Sequence, residues 1–255
     1  MTEGVMQVRV GTAGWSIGPA AASSFPAEGS GLERYSSVLP VTEINSSFHR
    51  PHRLGTWERW RDAVPETFRF SVKIPKTVSH ERKLVDCDDL LGDFLTQTEV
   101  LGEKLAILLL QLPPKLEFHR ETVIAFLEGL ARRCPARIVV EPRHLSWFGE
   151  EQEALLRDMR VARVAADPAI CPSAALPGGW PGLHYWRLHG SPERYRSSYA
   201  DRISEYVAAI GSAEGPTAER WCIFDNTASS AATGDAVNLQ RFLSRGPDSV
   251  RLGPP

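Results

Sequence analysis

Acidic, basic and imidazole side chains follow short apolar runs at several widely separated places in the sequence. In the stretch RIVVEPRH, three apolar residues are followed at once by Glu141 and Arg143. Glu43, Lys73 and His189 end other apolar runs in the same way. Carboxylates and imidazoles serve as general acids and bases, and Lys or Arg beside them binds carboxylate or phosphate. The pattern predicts an enzyme that acts on a small polar, anionic substrate.

Glu141, His189 and Glu43 are the candidate catalytic residues. A carboxylate near cations has a lowered pKa and suits a base, whereas one in an apolar wall has a raised pKa and suits an acid. Histidine titrates near neutrality by default. A structural histidine bonded to a neighbouring carbonyl stays open as the alternative for His189. Lys73, Arg143 and Arg187 are the cations that we expect to bind the substrate.

The elements that must position these residues are short strands that alternate with helical segments. Eight runs of strand length, rich in β-branched or aromatic residues, lie at 7–12, 40–45, 68–74, 105–112, 137–142, 161–167, 184–190 and 221–226. Eight strands alternating with helices in 255 residues predict an α/β fold, a TIM-type (β/α)₈ barrel of eight parallel strands. Some of its helices are expected to be irregular or missing. A doubly wound sheet is less favoured, because the first turn, GTAGWS, lacks the GxGxxG pattern.

Alternation along the strands assigns the polar residues to the barrel interior. The outer face of a barrel strand packs on helices, so charges within a strand must face the interior or its mouth. This rule places Glu43 and Asn45 opposite Ile44, and it places Arg187 and His189 on one face. The polar residues also gather at the carboxyl ends of the strands, where barrel active sites form. Helix capping stays open as the alternative for any one of them.

Composition and charge limit the classes of protein and partner. Charged residues are 24% and hydrophobic residues 42% of the chain, and the net charge is −2. These values predict one domain over residues 1–255, with a loop at about 172–181 and a short tail from about 246. No signal peptide is recognisable, and the longest apolar run is far short of the ~20 residues that a membrane helix needs. The four cysteines form no CxxC pair. We therefore expect a cytoplasmic protein with no membrane partner.

Two other functions stay open at this stage. The carboxylates and His189 could bind a divalent metal, as in a metal-dependent lyase, isomerase or phosphoesterase, although the cations of the same mouth oppose it. The basic aromatic stretch at residues 50–61 could contact nucleic acid, which would make the protein a binding module without turnover; a small-molecule binding module is also open. No cofactor is predicted. The sequence does not give the oligomeric state, the substrate or the reaction.

Several motifs, in chain order, resemble those of the domain of unknown function 72 (DUF72) family, also called YecE-like. They are GTAGW, VTEINSSFHR, FRFSVK, LLLQLPP, VEPRHLSW, RLHG and FDNT, and the resemblance extends from Val10 to Leu243. It implies a TIM-type barrel without an established reaction. The sequence departs from the family pattern at His49, Pro142 and Asp225.

The family motifs extend the candidate site beyond the residues found from the strand pattern. With Asp225 from the last strand end, the substrate-binding candidates are Lys73, Arg187, Arg143, Asn45, Gln111, Trp15, Trp147, His80, Asp167, Tyr199, Asp225 and Asn226.

Overall fold

Each of the eight predicted runs forms a strand, and consecutive runs pair in parallel. The computed structural model describes residues 8–213 and 218–244. Its strands are β1 (Val8–Ala13), β2 (Val41–Ile44), β3 (Arg69–Lys73), β4 (Leu105–Gln111), β5 (Arg137–Glu141), β6 (Ala162–Arg163), β7 (Ala165–Asp167), β8 (Gly178–Gly179), β9 (Leu183–Leu188) and β10 (Glu219–Phe224). Their order in the sheet is β7-β9-β10-β1-β2-β3-β4-β5-β6-β8. The prediction of a TIM-type α/β barrel is confirmed.

The sixth predicted run is split into two strands that close the barrel. β6 pairs with β5, and β7 pairs with β9, both in parallel. Between them, the backbone N–H of Val164 donates to the carbonyl oxygen of Val140 at 2.9 Å. The chain from β6 to β7 therefore joins the two sides of the sheet and completes a circuit of eight strand positions.

The helices are regular around much of the barrel but not all of it. They are α1 (Gly31–Ser36), α2 (Leu54–Asp62), α3 (Asp88–Thr98), α4 (Arg120–Arg133), α5 (Glu150–Asp158), α6 (Ile203–Ser212) and α7 (Ala232–Ser244). In α4, Val123, Phe126, Leu127 and Leu130 are buried, and their spacing of three and four residues forms one apolar face. A 3₁₀ segment, Pro172–Ala175, stands where the helix after β7 would be expected. This agrees with the allowance for missing helices.

The loop predicted at 172–181 is more ordered than the sequence indicated. It contains the 3₁₀ segment and β8, which pairs antiparallel with β6. Gly179 makes this approach feasible, because it has a positive φ of 67° and a Cβ there would lie 2.4 Å from the carbonyl oxygen of Val161. The predicted tail from about 246 lies outside the described residues.

The barrel interior has an apolar middle between two charged ends. The middle contains Val41, Ile107, Leu109, Val139, Val164, Leu183, Tyr185, Trp221 and Ile223. At the amino-terminal end of the strands, Glu219 forms ion pairs with Arg9 and Arg137. At the opposite end, charged residues from five of the strand positions meet, and the candidate site lies there.

Candidate active site

Arg187 is the centre of a buried set of ions at the carboxyl end of the barrel. Its Nε donates to Oε2 of Glu43 at 2.9 Å, and its Nη2 donates to Oε1 of Glu43 at 2.6 Å and to Oδ2 of Asp225 at 3.1 Å. Its Nη1 donates to Glu141. One guanidinium thus holds three carboxylates, each from a different strand position. We call Glu43, Glu141, Arg143, Arg187, His189 and Asp225 the ion network.

Strand alternation brings the network together. Arg187 and Tyr185 lie on the same face of β9, and Tyr185 and Glu43 both point inward. The Tyr185 hydroxyl lies 3.2 Å from Oε2 of Glu43 and 3.0 Å from Oγ of Ser71. Glu141 is the last residue of β5. The polar network therefore begins directly above the apolar middle of the barrel.

His189 connects two of the carboxylates. Its Nδ1 lies 2.9 Å from Oδ2 of Asp225, and its Nε2 lies 3.1 Å from Oε1 of Glu141. The Arg143 guanidinium donates through Nε to Oε1 of Glu141 at 2.6 Å, and its Nη2 lies 3.2 Å from Nε2 of His189. When Nε2 is protonated it can donate to Glu141, and when it is not it can accept from Arg143. His189 has a hydrogen-bond partner in either state, which suits a residue that exchanges protons.

The electrostatics of the network favour the ionised forms of Glu141 and Asp225. Burial alone would raise the pKa of Glu141, but the charges of Arg187 and Arg143, together with His189, hold that pKa well below its ordinary value. Burial opposes ionisation of Asp225 too, and Arg187 and His189 lower its pKa. Burial would lower the pKa of Arg187, yet Glu43, Glu141 and Asp225 raise it. Glu141 is therefore held as a carboxylate.

Lys73 differs from the arginines of the site in its hydrogen bonding. It is the last residue of β3, its exposure is 6%, and its Nζ lies 4.1 Å from the centre of the Phe48 ring. Among the described residues, no acceptor lies within hydrogen-bond distance of this Nζ. Burial, and then the charge of Arg187, lower the pKa of Lys73 to about 8, against the pull of the three carboxylates.

Three predicted residues form the rim around Lys73 and the network. Gln111 ends β4 and pairs with Glu141 in the sheet. The Asn45 side chain has a buried Oδ1 without a hydrogen-bond partner in the described part of the chain. The His80 ring packs edge-on against Phe48 at 5.0 Å. Burial, and then the charges of Lys73 and Arg143, lower the pKa of His80. The ring therefore lies within the electrostatic field of the site.

The two predicted tryptophans do not join the network. The Trp147 side chain is 1% exposed, donates from Nε1 to the carbonyl oxygen of Leu116 at 2.9 Å and packs edge-on against Phe118. The Trp15 ring packs against Trp60 of α2 at 5.2 Å. Both indoles bury apolar surface outside the barrel wall, so their place in the site is corrected to a packing role.

The structure also places Asp167, Tyr199 and Asn226 outside the interior. Ala162 and Val164 face inward, so period-two alternation turns Asp167 outward, where its carboxylate accepts from Arg202 at 2.7 Å. By the same alternation, Ile223 and Asp225 point inward and Asn226 points outward.

The hydrogen bonds of two of these residues hold loops to the barrel. The Tyr199 hydroxyl bridges the N–H of Gly190 and the carbonyl oxygen of Asp167. Asn226 donates from Nδ2 to the carbonyl oxygen of Ser197 at 2.9 Å. Position at a strand end alone was an insufficient reason to include Asp167 and Asn226, and the family motif alone was an insufficient reason to include Tyr199.

Asp235 was not among the predicted residues, and Tyr195 was considered only as one of several aromatic residues after the strand ends. Asp235 of α7 is buried and accepts from Ser198 Oγ, Tyr199 N and Asn226 Nδ2, at 2.7, 2.9 and 2.7 Å. The Tyr195 ring packs edge-on against His189 at 5.8 Å and is 40% exposed. Asp235 lies within α7, so no strand-end signal identified it.

The described residues offer little support for metal-dependent catalysis or for nucleic-acid binding by the stretch at 50–61. Over residues 8–213 and 218–244, no group of three or more His, Cys, Asp or Glu side chains is arranged to hold a metal ion. In the basic stretch, Trp57 is buried and Trp60 half-buried, so these indoles pack on the protein, while Arg50, Arg53 and Arg59 are exposed. Within the same ranges, no helix is both long and apolar enough to cross a membrane.

These features define a TIM-type barrel with a buried ion network at the carboxyl ends of its strands. The chain belongs to the DUF72 family, whose description is "Protein of unknown function DUF72" and whose family model matches residues 9–254. The UPF0759 protein YecE of Escherichia coli is 32% identical over 142 residues, which are 53% of this chain and 52% of that protein. The chain thus spans about half the length of the curated relatives that it matches.

Two solved structures of DUF72 family proteins have the same fold. The one from Thermotoga maritima superposes with a TM-score of 0.75 at 25% identity, over 93% of this chain and 99% of that one. The one from Enterococcus faecalis superposes with a TM-score of 0.76 at 21% identity, over 98% and 100% of the two chains. Neither the family description nor these relatives assign a reaction, so the function must be argued from the site.

Proposed function

We propose that this protein is a cytoplasmic enzyme that acts on a small, polar, anionic substrate at the carboxyl end of the barrel. The observation that carries the proposal is Lys73, a residue only 6% exposed whose ammonium has no hydrogen-bond acceptor among the described residues. Placing a charge in such a position without a hydrogen-bonded partner is unfavourable. An oxygen atom of an anionic ligand would supply the missing acceptor.

Arg143 offers a second donor group for the same ligand. Its Nε and Nη2 contact Glu141 and His189, whereas its Nη1 has no hydrogen-bond partner within the described residues. The N–H groups of Nη1 can donate to an oxygen of an anionic ligand. Lys73 and Arg143 are therefore the two ligand-facing cations in the proposal.

His189 is the group that we assign to proton transfer. Asp225 holds its Nδ1, so the ring is oriented and its Nε2 remains the exchanging atom. Glu43 and Glu141, which were catalytic candidates from sequence, act here as fixed charges that position Arg187 and His189. The chemistry is general acid–base catalysis on a substrate held by two cations.

Anion binding tests the first half of the proposal, with oxalate as the probe. Oxalate at about 100 times its Kd should stabilise the folded protein by about 2.7 kcal/mol, which appears as a higher Tm. Lys73→Met should abolish this increase, because it removes the ammonium and keeps much of the side-chain length. Lys76→Met is the matched control, because Lys76 is nearby, 46% exposed by side chain and already paired with Glu81. Equal responses of the wild type and Lys73→Met would refute the proposal.

Turnover tests the second half. The protein is incubated with a small-molecule extract of bacterial cells, and mass spectrometry follows every anionic compound over time. We expect the wild type and Lys76→Met to deplete the same compound, and Lys73→Met and His189→Asn to leave it unchanged. If oxalate binds but no compound is depleted by the wild type in extracts of several organisms, the site binds ligands without turnover and the enzyme proposal fails.

A further inference from the structure

We propose that the substrate carries a carbonyl group beside its anionic group, and that the amine of Lys73 forms an imine with it. The inference rests on the proposed function and names its substrate class, a 2-oxo acid or an aldehyde acid. The geometry that supports it is the placement of Lys73 at the end of β3, over the face of Phe48, with no acceptor among the described residues. Arg143, whose Nη1 has no partner in the same part of the chain, acts with Lys73 on the His80 ring. Arg143 would bind the carboxylate while Nζ reaches the carbonyl carbon.

The surroundings of Lys73 favour the neutral, nucleophilic amine over the charged ammonium. The Phe48 ring covers one side of Nζ and excludes water there. The nearest carboxylates are already engaged, because Glu43 uses both oxygens on Arg187 and Glu141 uses both on Arg187, Arg143 and His189. The ammonium here has little solvent exposure and no hydrogen-bond acceptor among the described residues, so the neutral amine is comparatively stabilised even though three carboxylates oppose this effect.

The charges that face Lys73 come from every side of the mouth. They are Glu43 of β2, His80 after β3, Glu141 of β5, Arg187 of β9 and Asp225 after β10. Their combined effect with burial is the lowered pKa of about 8. At pH 7 such a lysine is about 9% neutral, against roughly 0.03% for a lysine of ordinary pKa, a ratio of about 300.

The step balances without any other reactant. The nitrogen lone pair of the neutral amine attacks the carbonyl carbon, and the C–N bond forms while the carbonyl oxygen takes up a proton. The resulting carbinolamine loses that oxygen as water, and a C=N bond links Lys73 to the substrate. His189, whose Nε2 has partners both as donor and as acceptor, is placed in the same site to give and retrieve the protons. One water molecule leaves, and no oxidant or reductant is needed.

Reductive trapping tests the imine. The wild-type protein is incubated at pH 7 with glyoxylate and sodium cyanoborohydride, which reduces an imine to a stable amine, and the carboxymethylated lysines are located by peptide mass spectrometry. Lys76 is the internal reference, because it is an exposed lysine three residues away. We expect Lys73 to be modified at least about 30-fold faster than Lys76. This factor is a tenth of the ratio of neutral fractions, because the site restricts access of the reagent to Lys73. Modification of Lys73 at or below the rate of Lys76 would overturn the inference.

Two comparisons separate substrate recognition from simple reactivity, and the inference from the proposed function. Acetaldehyde, which lacks the carboxylate, should give a much smaller Lys73-to-Lys76 ratio than glyoxylate, and equal ratios would overturn the assigned substrate class. Lys73→Arg keeps the cation but cannot form the imine, so it should still show the Tm increase with oxalate. If oxalate stabilises the wild type and Lys73 is not trapped, the inference fails and the proposed function stands. If oxalate does not stabilise the wild type, the proposed function itself fails.

Discussion

Replacement of Glu141 by Gln tests whether the ion network is a structural unit. Gln is nearly isosteric with Glu, so the change removes the charge and leaves the shape. Glu141 is buried and contacts Arg187, Arg143 and His189. The substitution leaves two arginines, one fully buried and the other largely buried, with less negative charge. Breaking a buried ion pair in this way costs about 3–5 kcal/mol.

The size of the effect on Tm follows from the chain length. For a chain of 150–250 residues, 1 kcal/mol corresponds to about 2–4 °C, so the variant should unfold about 6–20 °C below the wild type at pH 7. The difference should depend on pH. The pKa of Glu141 is well below its ordinary value in the folded protein. Its contribution to stability is therefore complete above the unfolded-state pKa of about 4.3 and is lost as pH falls towards the folded-state pKa.

The assay is a set of thermal unfolding curves of the wild type and Glu141→Gln between pH 7 and pH 3. The gap in Tm should be constant from pH 7 to about 5 and narrow below that, because the variant lacks one of the groups that the wild type must protonate. Glu151→Gln is the matched control, since its salt bridge with Arg120 is exposed and worth at most about 1 kcal/mol. A Glu141→Gln Tm within 2 °C of the wild type at pH 7, or a gap that widens towards acid, would refute the reasoning.

Two further predictions concern the groups that support the site. Asp235→Ala removes an acceptor of three buried or half-buried hydrogen bonds and should lower the free energy of unfolding by about 2–4 kcal/mol in urea titrations; a loss below 1 kcal/mol would contradict its role. Tyr35→Phe removes the hydroxyl that contacts Thr12 and the Val41 carbonyl between β1 and β2, and should cost about 1–3 kcal/mol by the same measurement; an unchanged midpoint would show that water replaces the hydroxyl.

The strand pattern predicted the interior of this barrel well, for a simple physical reason. A strand in a closed barrel has one face towards the interior and the other towards the helices, so a single inward residue fixes the rest. In the strands that contain Glu43, Lys73 and Arg187, the predicted alternation of inward and outward side chains is correct. The residues placed wrongly, Asp167 and Asn226, were chosen because they end a strand, and alternation applied to the same strands would have placed both outside.

The pairing within the network is not encoded locally. Glu43 and Arg187 are separated by 144 residues, and their contact depends on the register with which the barrel closes. Trp15 and Trp147 were misassigned for a different reason: an indole can cover a ligand or fill a packing gap, and the sequence does not distinguish these uses. Asp235 was missed because its helix carries no chemical motif, and its importance comes from the loop and the strand end that pack over it.

The distribution of contacts divides the charges of this site into two kinds. Arg187 and its three carboxylates satisfy one another, so removal of any member unbalances the charge of a buried network. Lys73 makes no such hydrogen bond in the described part of the chain, so its removal leaves the pairing of Arg187 with its carboxylates intact. A ligand oxygen would supply the acceptor that the ammonium lacks, and for that reason we place ligand binding on Lys73 and the structural role on Arg187.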